Sequence, residues 1–258
     1  ARTNREGGPT ALAAAICGRV PEYGLHLNKN RKAKRHIQVA IPLKTDKDYA
    51  ALGYFIGSSV GQDVPVITGI DSQPSMENLK TMCAAVASSG AVALFHIVGV
   101  TPEAPTFDAV VEKDAHLPCL TFGKAEYKKI CDKFNYSGKI DFVVIGCPHA
   151  SINEINSAAQ LLKGKKLKAG LWLCTSRQIK ALADEMGIVK TIEDAGGELI
   201  CDTCPVLCPT LWERKYRSIA TNSAKMAHYA PGLWNLQPVL LTQEQCIQAA
   251  IAGKWEEI

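Results

Sequence analysis

From Arg35 onward, short runs of β-branched and other apolar residues alternate with stretches whose apolar residues recur every three or four positions. That alternation is what strand–helix–strand crossovers around a parallel sheet require. Strands are expected over residues 36–41, 64–68, 92–98, 142–145, 171–174 and 199–201, several of them apolar on consecutive positions, as in strands covered on both faces. Met76, Leu79, Met82, Cys83 and Val86 gather on one helical face, with Ser75 as the cap. Ser151 with Glu154, and Thr242 with Gln245, have the spacing of reciprocal capping boxes, which predicts helices over residues 152–163 and 243–252. The expected class is α/β, with crossover units in one or two lobes. Two prolines within residues 101–105 mark a boundary between a first lobe, residues 1–100, and a second, residues 101–258, that carries the cysteine motifs.

Composition narrows the function classes. With 29 basic and 25 acidic residues and a net charge of +4, nothing in the balance demands a nucleic acid or a membrane surface. The run Lys29 to Arg35, five cations in seven residues, reads as a solvated loop. No apolar stretch approaches the ~20 residues of a membrane helix, and the start lacks the apolar core of a signal peptide, so a cytoplasmic protein is expected. The missing initiator methionine, with a polar motif in the first eight residues, reads as a chain that starts mid-protein. Ten cysteines in a cytosolic protein of 258 residues point to metal ligands or reduced core thiols rather than to a disulfide framework.

Two cysteine sites stand where a strand runs out into a turn, the usual ligand position in a parallel α/β sheet. In Val143-Val144-Ile145-Gly146-Cys147-Pro148-His149, glycine and proline end the strand, and the helix start at Ser151 is expected to lower the thiolate pKa of Cys147. The second site, Cys201-Asp202-Thr203-Cys204-Pro205-Val206-Leu207-Cys208, has gaps suited to chelation. A CxxC also occurs in redox pairs, zinc sites and packed cores. No second CxxC or closely spaced histidine pair supports zinc, and Pro205 and Cys208 follow where a thioredoxin-like pair would open a helix. Thiolates assembled from separate loops suit an iron–sulfur cluster.

Among polar residues, Arg2, Thr3, Asn4 and Arg5 could bind a carboxylate through guanidinium forks, with surface ion pairing as the alternative. Asn222, Ser223, Lys225, His228 and Tyr229 form a polar group between apolar neighbours, suited to the oxygens of a small ligand or to capping a helix. His149 could titrate near a substrate or satisfy a nearby carbonyl. His26, His36 and His116 have no ligand-like spacing, and there is no dinucleotide fingerprint or phosphate loop.

Six segments carry a longer resemblance: Ala1-Arg2-Thr3-Asn4-Arg5-Glu6-Gly7-Gly8-Pro9; Tyr23-Gly24-Leu25-His26-Leu27; His96 through Ala104; Gly146-Cys147-Pro148-His149-Ala150-Ser151; Asp202-Thr203-Cys204; and Ala220 through Pro231. Over essentially its whole length the chain resembles the C-terminal portion of the large subunit of aconitase X. The resemblance implies an aconitase-like α/β fold and an iron–sulfur-dependent hydro-lyase. It implies Cys147 and Cys204 as cluster ligands, Cys201 as a further candidate, Cys208 as less emphasised, and a third ligand upstream. The cluster is expected to be [4Fe-4S] or [2Fe-2S]. Substrate contacts are expected from Arg2, Thr3, Asn4, Arg5, Asn222, Ser223, Lys225 and His228, with His149 and Lys225 as catalytic candidates. A small swivelling subunit, not found in this chain, is the implied partner, and in aconitases that domain supplies a serine base. The family's substrates are cis-3-hydroxy-L-proline, dehydrated to pyrroline-2-carboxylate and the expected one here, and (R)-5-phosphomevalonate of the mevalonate pathway. A non-catalytic subunit with structural cysteines is the third alternative.

Overall fold

The computed structural model describes residue 2, residues 4–208 and residues 216–256. Two parallel sheets form its frame. The first contains β1 (Arg35–Val39), β2 (Pro65–Thr68), β3 (His96–Ile97) and β4 (Cys119–Phe122) in the order β3-β2-β1-β4. Helices α2 (Asp46–Val60) and α3 (Met76–Gly90) follow β1 and β2; a single turn, α4 (Phe107–Val110), and α5 (Lys124–Lys133) flank β4. The strands do not segregate at the expected boundary after residue 100: β4 pairs in parallel with β1, which carries the first sheet to Phe122. The sequence signal missed β4 because it is only four residues long, and two of those are exposed.

The second sheet contains β6 (Phe142–Ile145), β7 (Gly170–Thr175), β8 (Glu198–Cys201), β9 (Ser218–Thr221) and β10 (Gln237–Leu240), in the order β10-β9-β6-β7-β8. Its crossovers use α6 (Ile152–Leu162), α7 (Arg177–Glu185), α8 (Ile188–Ala195), α9 (Ala224–Trp234) and α10 (Gln243–Ala252). A small antiparallel pair joins β5 (Gly138–Lys139) to β11 (Lys254–Trp255). Pro238 lies in β10, an edge strand, where a residue without an N–H is tolerated.

Strand alternation divides the second core in two. Val143, Ile145, Leu171, Leu173 and Leu199 face Ile155, Ile192 and Ile247 of the helices on one side. Phe142, Val144, Trp172 and Cys174 face Met226 and Ala230 of α9 on the other. Each large side chain so buried contributes roughly 1.5–3 kcal/mol. All three expected helix caps are present, with Ser75, Ser151 and Thr242 accepting from the amides of Asn78, Glu154 and Gln245. In the first lobe α2 and α3 touch backbone to backbone, since a Cβ at Gly90 would lie 1.8 Å from the Gly57 carbonyl oxygen.

The basic run does not form a uniformly solvated loop. Arg31 is buried and its guanidinium grips the Glu103 carboxylate, with Nε to Oε2 at 2.8 Å. Helix α1 (Gly8–Cys17) has the opposite character. It is apolar but buries none of its residues, with Leu12 63% and Ile16 77% exposed. Among the described residues no helix is long and apolar enough to cross a membrane.

Candidate active site

The carboxyl ends of β6, β7 and β8 bring the cysteines together. Gly146 turns the chain out of β6 at φ +97°, and a Cβ there would meet the Cys174 carbonyl oxygen at 2.1 Å, so only glycine lets this turn lie against β7. The turn, with a cis Cys147–Pro148 bond, is tied down by Ala150 N donating to Cys174 O at 2.8 Å and Thr175 Oγ1 donating to Ala150 O at 2.7 Å. Cys147 and Cys174 end up buried in one apolar cluster with Val206, and Cys204 and Cys208 pack against it.

Burial pushes the Cys147 thiol above its ordinary range, and the neighbouring Cys204 adds to this; the Lys225 charge and the nearby Ser223 hydroxyl pull the other way. The expected lowering by the helix start at Ser151 is therefore overturned, because loss of water around a buried thiolate outweighs a helix dipole. Burial also raises Cys174, to about 12. A metal ion would have to displace a proton from Cys147.

Cys201 does not join this group. It follows Leu199 in β8 by two residues and so shares that residue's sheet face, whereas Ile200 points toward the Cys147 cluster. The CxxC is thus split across the sheet. Asp202, at φ +53°, makes the reversal between its two cysteines: it accepts from Arg177 N at 3.0 Å, and the Arg177 guanidinium holds its carboxyl below the usual range. His149, exposed, reaches the Thr203 carbonyl oxygen at 2.9 Å and clamps the Cys204 turn to the Cys147 turn, which is the carbonyl-satisfying alternative for this histidine.

The Asn222 to Tyr229 segment divides in the same way. Ser223 caps α9, accepting from Met226 N at 3.1 Å, and its hydroxyl donates to the Cys147 carbonyl oxygen. Lys225 is close enough to favour the Cys147 thiolate. Asn222 and His228 turn instead to the first lobe: Asn222 Nδ2 donates to Asp46 Oδ2 at 2.9 Å, and His228 Nδ1 lies 3.0 Å from the Tyr54 hydroxyl. Burial, with the Lys133 charge, lowers the His228 pKa.

The amino-terminal motif lies elsewhere. Asn4 and Arg5 line a cleft of about 300 Å³ with Lys34, Val64 and Ala93, residues that precede β1, β2 and β3. Arg2 lines a neighbouring one with Arg31, His96 and Glu103, and its guanidinium donates to the His26 carbonyl and to Asn28. These residues sit at the amino ends of the first sheet, and the cysteines at the carboxyl ends of the second. Thr3 lies outside the described residues.

Sequence reasoning missed the polar seam between the lobes. Asp46, in the first turn of α2, also accepts from Gln243 N at 3.1 Å, and burial raises its pKa. Lys80 of α3 pairs with Glu154 and donates to the His149 carbonyl oxygen at 2.9 Å, and Ser151 Oγ donates to Glu77 at 3.0 Å. Asp46, Glu77, Glu154 and Gln243 line a cleft of about 450 Å³. The available signal was the set of helix starts after strands: Thr45, Ser75, Ser151 and Thr242 all cap helices whose first turns meet here.

All ten cysteines are free thiols. Among the described residues no three His, Cys, Asp or Glu side chains form a group that could hold a metal ion. Cys147 and Cys204 nevertheless offer two soft sulfur donors at one site, a donor chemistry that fits part of an iron–sulfur ligand set.

Residues 33–132 match the model of the aconitase X second domain, and residues 140–252 that of the third. The phosphomevalonate dehydratase large subunit of Methanosarcina mazei is 40% identical over 98% of this chain and 61% of its own length; that of Thermococcus kodakarensis is 44% identical over 89% and 58%. The cis-3-hydroxy-L-proline dehydratase of Hypocrea jecorina is 34% identical over 95% of this chain and 43% of its own length. The crystal structure of Thermococcus kodakaraensis aconitase X in its holo-form superposes with a TM-score of 0.86 at 40% identity, covering 96% of this chain and 63% of that one. The chain spans about three fifths of the length of the phosphomevalonate dehydratase large subunits it matches. With two of its domain models matched in order along two parallel sheets, the chain belongs to the aconitase X family.

Proposed function

We propose that this chain supplies two domains of the large subunit of an iron–sulfur hydro-lyase, and that the substrate is (R)-5-phosphomevalonate. The observation that carries the reading is the meeting of Cys147 and Cys204 in one apolar cluster beside Lys225 and Ser223. The substrate reading draws on five relatives named phosphomevalonate dehydratase large subunit, four of them 40–44% identical and one 31%, against 34% for two named cis-3-hydroxy-L-proline dehydratase. Hydroxyproline, the substrate expected from the sequence, becomes the second reading.

Cys147 and Cys204 would hold the cluster, with a third ligand from outside this chain. When bound, the cluster supplies an open iron that acts as a Lewis acid toward the substrate hydroxyl. Ser223, fixed on the Cys147 carbonyl, holds the ligand turn against the start of α9. The Lys225 ammonium pairs with an anionic end of the substrate, and Asn222 contacts a polar group beside it. The proton-abstracting base comes from a small swivelling subunit. Ten free thiols suit a reducing cytoplasm.

The test is anaerobic reconstitution of the full large subunit with its small subunit, followed by iron analysis and turnover of both substrates. Iron binding with preferential dehydration of phosphomevalonate is expected. Preference for cis-3-hydroxy-L-proline would replace the substrate, and a complex that binds no iron would overturn the mechanism.

A further inference from the structure

Asp46 and Asn222 belong to different lobes and are 176 residues apart, yet they meet in the seam at 2.9 Å. Asn222 is only 6% exposed. An ionised carboxylate can only accept hydrogen bonds, so an amide held against it must present its NH2 to the carboxylate and its carbonyl oxygen elsewhere. Two backbone donors fix the carboxylate in turn: Gln243 N at 3.1 Å on Oδ2 and Lys47 N at 2.9 Å on Oδ1. Asn222 Oδ1 accepts from none of the described residues, and the next residue, Ser223, is bonded to the Cys147 turn.

We propose that Asp46 is a positioning residue that locks the Asn222 amide in one orientation, so that Asn222 offers the ligand a hydrogen-bond acceptor and recognises a hydroxyl or protonated amine rather than an anionic oxygen. This rests on the dehydratase reading and sharpens it. The anionic end of the substrate is left to Lys225, and Asn222 selects the donor group beside it. Phosphomevalonate offers such a donor in its hydroxyl, and hydroxyproline in its hydroxyl and ring nitrogen. Replacing Asp46 by asparagine removes the lock, because an amide at position 46 accepts or donates and lets Asn222 turn over.

The experiment is a double-substitution cycle in the reconstituted complex with Asp46→Asn, Asn222→Ala and both together, reading kcat, KM and the unfolding midpoint. Turnover by the unsubstituted complex tests the reaction itself, and only the comparison among variants bears on Asp46. Each single change is expected to raise KM about tenfold or more, the usual effect of a lost hydrogen bond in a closed site. The double variant is expected to match Asn222→Ala alone, since Asp46 acts through that amide. Independent, multiplying effects on KM would overturn the proposal, as would a shift in the unfolding midpoint with KM unchanged. Should Asp46→Asn not fold, Asn222→Ala decides on a deoxy analogue: the unsubstituted complex should prefer the hydroxylated ligand by a wider margin than the variant does, and equal margins would refute the acceptor role.

Discussion

The amino-terminal rim of the first sheet and the carboxyl-terminal rim of the second both gather polar residues, but they use them differently. At the first rim Arg31 is closed on Glu103, and the Arg2 guanidinium is engaged by His26 and Asn28. At the second, Cys147, Cys204, Ser223 and Lys225 converge on a turn, with helix starts from both lobes around it. Residue type alone therefore identifies neither rim. In a parallel sheet the carboxyl ends leave side chains facing loops and helix amino termini, where polar groups stay available to a ligand.

The comparison is tested most sharply by the cysteines. Cys204→Ser should abolish iron binding and lower turnover by more than about 100-fold, because even residues behind a metal ligand commonly cost 10–100-fold. Cys201→Ser, three residues earlier and on the opposite face of β8, should keep its iron. Equal loss from both would break the assignment of faces and is read directly by iron analysis and absorbance.

On the opposite rim, Arg31→Met should destabilise the fold by about 1 kcal/mol while leaving KM unmoved, since the Glu103 side chain it strands is 37% exposed and stays partly hydrated. Hydrogen bonds from Arg31 hold the Glu103 carboxyl below its ordinary range. That contribution is present above the ordinary carboxylate pKa and fades as pH falls through the lowered one, so the variant should lose part of the wild-type acid sensitivity in thermal melts. A change in KM would make this rim a substrate contact.

Asp46 has the reverse sign. Its raised pKa means that the folded state holds the proton more tightly, so its stabilising contribution is present at low pH and declines as pH rises through the raised value. Asp46→Asn should flatten that part of the stability profile, measured by denaturant unfolding across the acid range. The smallest effect is expected at α1, where Leu12→Ser should change unfolding free energy by no more than about 0.5 kcal/mol, because Leu12 is 63% exposed.

Most of the framework was legible because it is local. Strands β1, β2, β6, β7 and β8, and the caps at Ser75, Ser151 and Thr242, follow from periodicity and short-range hydrogen bonding. Strand β9 was missed because its four residues, Ser218 to Thr221, carry hydroxyls at both ends, and β10 because it contains Pro238. The Cys147 turn was legible as a strand end, but its raised pKa was not, since burial depends on Trp172 and Met226 from distant segments. The Asp46–Asn222 pair was out of reach for the same reason, as nothing in the spacing of residues 46 and 222 joins them.

The backbone contact between α2 and α3 ties the seam to a place far from it. Gly57 is eleven residues along α2 from Asp46, about 16 Å at 1.5 Å per residue. A methyl group at Gly57 or Gly90 would drive a wedge between the helices, and because both start at the seam, Asp46, Glu77 and Lys80 would swing with them. The mating of the two lobes thus inherits its tolerance from a pair of hydrogen atoms at the opposite end of the lever.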